Sequence, residues 1–142
     1  MSPSYLTRRV RFSAAHRYAR PDWSEDKNRA VFGPCSNPHG HGHNYRLDVT
    51  VQAPIDDVTG FTIDIARLDA ILREDVVAPL DHQHLNHAIP EFRDGGQIPT
   101  CENIARWLWL RLEPRFTASA RLHRLRLYED DDLFVDYFGD ST

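Results

Sequence analysis

The chain changes hydrophobic period along its length, and those changes predict its elements. Between Leu6 and His16, the residues Leu6, Val10, Phe12, Ala14 and His16 fall on one side of an extended chain. This alternation predicts a half-buried strand. It resumes at His41, where His41, His43, Tyr45, Leu47, Val49 and Val51 share one side and Asn44, Arg46, Asp48 and Thr50 the other. Gly60 to Asp64 reads as a further strand or as a turn. The period then lengthens, with Ile65, Leu68, Leu72 and Val76 at helical spacing, Asp64 as N-cap and Pro79 as the stop. Leu80 to Gly96 is polar. A second helix is predicted from Thr100, after Pro99, with Ile104, Trp107, Leu108 and Arg111 along one stripe and Pro114 near its end. Arg121–Glu129 and Leu133–Phe138 read as two strands joined by the acidic turn Asp130-Asp131-Asp132.

Residues 17–40 follow neither period and carry Pro21, Gly33, Pro34 and Pro38. They read as one long loop, which in a small domain is more often functional than idle. The element order β-β-α-α-β-β is an α+β pattern, with the helices packed on one face of the sheet. With no repeat, low-complexity tract or linker, residues 1–142 read as a single domain.

Composition sharpens this picture in three ways. The net charge is −4 and Lys27 is the sole lysine, with no basic stripe, so a nucleic-acid partner is not expected. No run approaches ~20 apolar residues and no secretion signal opens the chain, so a cytoplasmic location without membrane insertion is expected. In such a reducing compartment Cys35 and Cys101 are expected to be free thiols. The unusual number is eight histidines, seven of them between His16 and His87.

His41 and His43 stand at i and i+2 of a strand, so their imidazoles share a side. His16 ends the other strand on its apolar side and would reach the same spot if the two strands pair. Gly40 and Gly42 leave room for an ion and a third ligand. Three imidazoles with a fourth position open match a catalytic zinc site, whereas structural zinc takes four ligands rich in cysteine. A His-x-His pair alone also suits ordinary loop or core histidines. His39 shares the parity, but Pro38 argues for loop geometry there. Cys35 fits either a fourth ligand or a free thiol activated beside the metal; spacing does not choose. Arg17 and Arg20 are phosphate-binding candidates by proximity to His16.

Five ordered motifs carry a resemblance over nearly the whole chain. They are Phe12-Ser13-Ala14-Ala15-His16, Cys35-Ser36-Asn37-Pro38-His39-Gly40-His41-Gly42-His43-Asn44-Tyr45, Leu80-Asp81-His82, Pro99-Thr100-Cys101-Glu102-Asn103, and Tyr128-Glu129. With them the chain resembles the 6-pyruvoyl-tetrahydropterin synthase and 6-carboxy-tetrahydropterin synthase superfamily. The resemblance implies a tunnelling fold, a four-stranded antiparallel sheet carrying two helices. Three such sheets close into a barrel, two trimers stack as a homohexamer, and active sites lie between subunits.

It further implies that His16, His41 and His43 bind zinc and that Cys35 is the catalytic base. Asp81 and His82 are then a proton-relay pair, Glu129 anchors the pterin ring, and Thr100 and Glu102 are ring-side groups. The implied substrate is 7,8-dihydroneopterin triphosphate. Glu129 shares parity with Leu125 and Leu127, so its carboxylate is expected to face inward. Thr100 and Glu102 equally suit a cap and a first helical turn.

His39 departs from the pyruvoyl-type motif, which usually has a small polar residue there, and Cys101 reads as a packing residue. Five residues separate Cys35 from His41, as in the pyruvoyl type; the bacterial carboxy type typically has three. The expected function is therefore a zinc-dependent lyase that eliminates triphosphate. One alternative is the carboxy-type enzyme of queuosine (deazapurine) biosynthesis, which also releases acetaldehyde. Another is a non-catalytic zinc- and pterin-binding module.

Overall fold

The structure is a computed structural model, and it describes residues 2–140. The ends of the expected 1–142 domain, residue 1 and residues 141–142, lie outside that range.

Two long strands dominate, β1 (Pro3–His16) and β2 (His41–Pro54). They pair antiparallel over their full length, with His16 opposite His41 and Ala14 opposite His43. The period-two reading of both strands holds. Phe12, Ala14 and His16 are buried, as are Tyr45, Leu47, Val49 and Val51 on the same face. The other face carries matched polar pairs, among them Thr7 with Thr50 and Arg9 with Asp48. β4 (Arg121–Asp130) pairs with β2, and β5 (Leu133–Tyr137) with β4 around the acidic turn.

Four antiparallel strands were expected, but the sheet has five, in the order β3-β1-β2-β4-β5. The fifth is β3 (Gln83–His84), two residues that run parallel to β1. So short a strand has no period to read. It exists because the chain after residue 80 is hydrogen-bonded to the edge of β1, starting with His82 N to Ser13 O at 2.6 Å.

The helices correct the expectation further, since there are more than two. α1 (Glu25–Phe32) lies inside the stretch expected to be a loop. It buries only Asn28 and therefore shows no apolar stripe; its start is the Ser24 side chain accepting from Lys27 N. α2 (Ile65–Leu72) begins at the Asp64 cap as expected, after a turn rather than a strand over Gly60–Asp64. It does not stop at Pro79. A π-helical turn, Arg73–Val77, leads into α3 (Ala78–Leu80), which contains that proline. Proline cannot donate to the carbonyl four residues back, and that carbonyl, Asp75 O, instead accepts from Arg111 Nε at 3.1 Å.

A short helix, α4 (Leu85–Ala88), precedes α5 (Cys101–Leu112), whose N-cap is Thr100. The buried stripe of α5 is Cys101, Ile104, Ala105, Leu108, Trp109 and Leu112. The expected members Trp107 and Arg111 lie off it, because Trp109 is the residue that meets Tyr137 on β5. Leu68, Ile71, Leu72 and Val76 from the first helical run and Ile104 and Leu108 from α5 form one core with Phe12, Tyr45, Leu47 and Leu127 of the sheet. The α+β class and the packing of these helices on the apolar sheet face are thus as expected. Among the described residues, no helix is long and apolar enough to cross a membrane.

Candidate metal centre

The antiparallel register places His16, at the end of β1, directly across from His41, at the start of β2. His43 lies one rung further in, on the same face. The three imidazole rings stand nearly perpendicular to one another, with centroids 4.8–5.0 Å apart. His16 Nε2 and His41 Nε2 are 3.2 Å apart. Glu129, 9% exposed, adds a carboxylate oxygen 3.1 Å from His43 Nε2 and 3.4 Å from His16 Nε2. The four donor atoms all lie within 4.8 Å of one another. The inward parity expected of Glu129 is therefore present, and it brings the carboxylate into the histidine cluster itself. A register shift between Tyr128 and Asp130 marks a bulge at this position, a device that re-aims a side chain.

Two observations test whether this donor set fits a metal. His16 Nδ1 lies 2.9 Å from the Pro99 carbonyl. A carbonyl only accepts, so Nδ1 carries the hydrogen and the Nε2 lone pair is free for a ligand bond. His43 Nε2 is buried without a hydrogen-bond partner, although Glu129 Oε1 is 3.1 Å away. The pair is close but misaligned for a hydrogen bond, as two donors facing one ion are. The set fits. Burial and the neighbouring imidazoles push His16 down to about 4, so it is neutral near pH 7 and able to ligate.

Gly40 makes room for the chain that carries His16. A Cβ on Gly40, whose φ is +71°, would sit 2.6 Å from the His16 carbonyl oxygen and 3.0 Å from His84 Nε2. The space that Gly40 leaves is thus taken by the backbone of His16, the expected third ligand, and by His84.

Cys35 sits in a 3₁₀ turn, Gly33–Ser36, with Sγ 3.9 Å from His41 Nε2. It is half-buried and unpaired, and burial together with the Glu129 charge pushes its thiol up. Arg17 holds this turn, donating from Nε to the carbonyls of Ser36 (3.0 Å) and Asn37 (3.1 Å). Arg20 pairs with Asp22. Both arginines thus make local contacts, Arg17 through Nε alone.

Asp81 and His82 form a second unit beside β1. Asp81 Oδ1 accepts from Ser13 N at 2.8 Å, and Oδ2 meets His82 Nδ1 at 2.9 Å. The Ser13 amide, then His82, hold the Asp81 carboxyl below the usual carboxylate range. His82 is 83% exposed, with φ +62°, the sole positive φ outside glycine among the described residues. No hydrogen bond joins this unit to Cys35 among the described residues. Thr100 Oγ1 accepts from Asn103 N, and Glu102 is exposed in the first turn of α5. His39 is exposed. Cys101 is buried against Leu127 O, its thiol pushed up to about 12 by burial, as suits a packing residue.

Sequence reasoning missed two tyrosines. Tyr45, fully buried against Phe12, places its hydroxyl 3.1 Å from His16 Nδ1. It shares strand parity with His41 and His43, which was the available signal. Tyr18 lies edge-on to His16 and donates to Glu129 Oε1 at 3.5 Å.

The family model for 6-pyruvoyl tetrahydropterin synthase matches residues 5–140. The chain belongs to this family. A Pongo abelii 6-pyruvoyl tetrahydrobiopterin synthase is 39% identical over 135 residues, spanning 95% of this chain and 91% of that protein. A Pyrococcus furiosus dihydroneopterin monophosphate aldolase is 30% identical over 128 residues, spanning 90% and 91%. The solved structure of Caenorhabditis elegans 6-pyruvoyl tetrahydropterin synthase superposes with a TM-score of 0.90 at 28% identity, covering 99% of this chain and 98% of that one.

Proposed function

We propose that this protein is a zinc-dependent lyase of the 6-pyruvoyl-tetrahydropterin synthase type, converting 7,8-dihydroneopterin triphosphate with elimination of triphosphate. The observation that carries this reading is the convergence of His16, His41 and His43 with Cys35 just outside the donor cluster. The chemistry that zinc supplies at these ligands is Lewis-acid polarisation of the substrate's side-chain hydroxyls, which makes the adjacent C–H protons removable. Cys35 removes and returns those protons. Near a dication its thiolate is favoured, opposite to the effect of Glu129.

Asp81 fixes the His82 tautomer through Nδ1, leaving Nε2 to exchange a proton. In this reading His82 and Cys35 meet across subunits of a barrel-closed homohexamer. The Glu129 carboxylate grips the amino-pyrimidine edge of the ring by a two-bond fork. The Thr100 hydroxyl, though accepting from Asn103 N, still has its hydrogen to donate, and Glu102 lies two residues on, in the first turn of α5.

Incubation of pure protein with the triphosphate, with products identified by mass, tests this. A 6-pyruvoyl product with free triphosphate is expected. 6-Carboxy-tetrahydropterin with acetaldehyde would replace this reading with the carboxy type, and an unconverted substrate would leave the binding module. A second reading, aldol cleavage of dihydroneopterin monophosphate, is favoured by the 30% identity to the Pyrococcus furiosus aldolase; the same assay with the monophosphate decides it.

A further inference from the structure

We propose that Glu129 is a latch on the metal, closing its fourth position in the free protein and leaving it when a pterin ring takes the carboxylate. The inference rests on the reading of Glu129 as ring anchor and adds a second role to the same side chain.

Donor spacing is the first support. Four ligands at ~2.0–2.1 Å around a tetrahedral ion stand about 3.3 Å from one another. The carboxylate oxygen stands 3.1 Å from His43 Nε2 and 3.4 Å from His16 Nε2, and the two imidazole nitrogens of His16 and His41 are 3.2 Å apart. Glu129 thus occupies a ligand's place and not merely the neighbourhood.

The charge balance is the second support. A buried carboxylate needs a compensating partner. Among the described residues no arginine or lysine pairs with Glu129; its close ionisable neighbours are His16 and His43. Its further contact is the Tyr18 hydroxyl, at 3.5 Å. With His43 Nε2 left without a hydrogen bond, what completes the group is a cation among all four donors.

The two roles compete for one carboxylate. The ion and the fork of an amino-pyrimidine compete for the same carboxylate oxygen and for its orientation. Ring binding would therefore draw Glu129 away from His16 and His43 and leave the fourth position open to the side-chain hydroxyls of the same substrate. This is an exchange of oxygen ligands, with no change in oxidation state. The metal is exposed beneath a recognised ring and capped otherwise.

Cobalt-substituted full-length protein gives a readout apart from turnover. Azide is titrated against the cobalt absorption bands, with and without 2-aminopteridin-4-one, a pterin ring lacking the hydroxylated side chain. In wild type, the ring is expected to tighten azide binding about tenfold, the scale of perturbing a ligand shell. Glu129→Asp keeps the charge but shortens the reach, and Glu129→Gln removes the charge. Both are expected to bind azide about tenfold tighter than wild type without the ring, and to ignore the ring.

Equal azide affinity in wild type and Glu129→Asp overturns the latch. So does tightening in Glu129→Gln alone, which would be simple charge repulsion. A ring that fails to quench its own fluorescence on the protein removes the anchor and the latch together. If neither variant folds by circular dichroism, the wild-type comparison with and without ring decides. Turnover of the triphosphate with ring-independent azide binding sinks the latch and spares the proposed reaction; the reverse pattern spares the latch alone.

Discussion

Two groups of histidines lie within reach of β1, and they behave differently. His16, His41 and His43 ride on paired strands, whose period of two aims their nitrogens at one point. His82, His84 and His87 follow α3 in a segment of short elements, and their nitrogens do not converge. His84 and His87 meet as rings, centroids 4.2 Å apart at 31°, and His84 Nδ1 is buried without a partner. Histidine density is therefore a poor guide to a metal centre. What distinguishes the first group is rigid backbone on both sides and a tautomer fixed by Pro99. In the second group one member, His82, is exposed and is held through Nδ1 by Asp81.

The sharpest way to break this contrast is to remove one imidazole from each group. His41→Ala is expected to weaken zinc by on the order of a thousandfold or more, as loss of a ligand from a preformed site does. His84→Ala should shift it by less than about twofold, because the ring lies outside the donor set. Competition with a chromogenic chelator measures both, and equal losses would dissolve the distinction.

Acid is expected to act through the buried group. His16 is held at about 4 against 6.5 in an unfolded chain. Between those values the unfolded chain binds a proton that the folded one refuses, so stability falls as the pH drops from 6.5 towards 4 and is unaffected by His16 above 6.5. The loss is on the order of 3 kcal/mol in metal-free protein, and His16→Gln should flatten this part of a urea-denaturation series. Asp81→Asn addresses the other group. It should lower turnover about a hundredfold while metal content stays full; a fall in bound zinc would mean the two groups are not separate.

The smallest effect is expected where the groups touch. Gly40→Ala forces a Cβ to 2.6 Å from the His16 carbonyl at a φ of +71°, which should cost about 2 kcal/mol in thermal unfolding. His84→Ala in that background should leave most of the loss, since the backbone contact persists.

Much of the frame was legible. Strand parity placed His16, His41, His43 and Glu129 on one face, and the caps Asp64 and Thr100 and the turn after Asp130 announced their elements locally. Elements set by tertiary partners were not legible. α1 buries a single polar residue, Asn28, whose amide accepts from Arg20 N and donates to Arg20 O. That clamp on the backbone, not an apolar stripe, ties the helix down. β3 exists because the edge of β1 offers it partners, and the helix runs through Pro79 because Arg111 serves the carbonyl that the proline cannot. Parity put Glu129 on the inner face, but its closeness to the histidines comes from the pairing of β4 with β2, and the bulge at Tyr128–Asp130 has no local pattern.

The order of those strands along the chain also bears on biosynthesis. As the chain leaves the ribosome, the three histidines and Cys35 emerge long before Glu129. Until β4 docks on β2, the imidazoles have no carboxylate beside them and β2 lacks one neighbour. The four-donor pocket is therefore a late product of synthesis, and its completion coincides with closure of the central sheet.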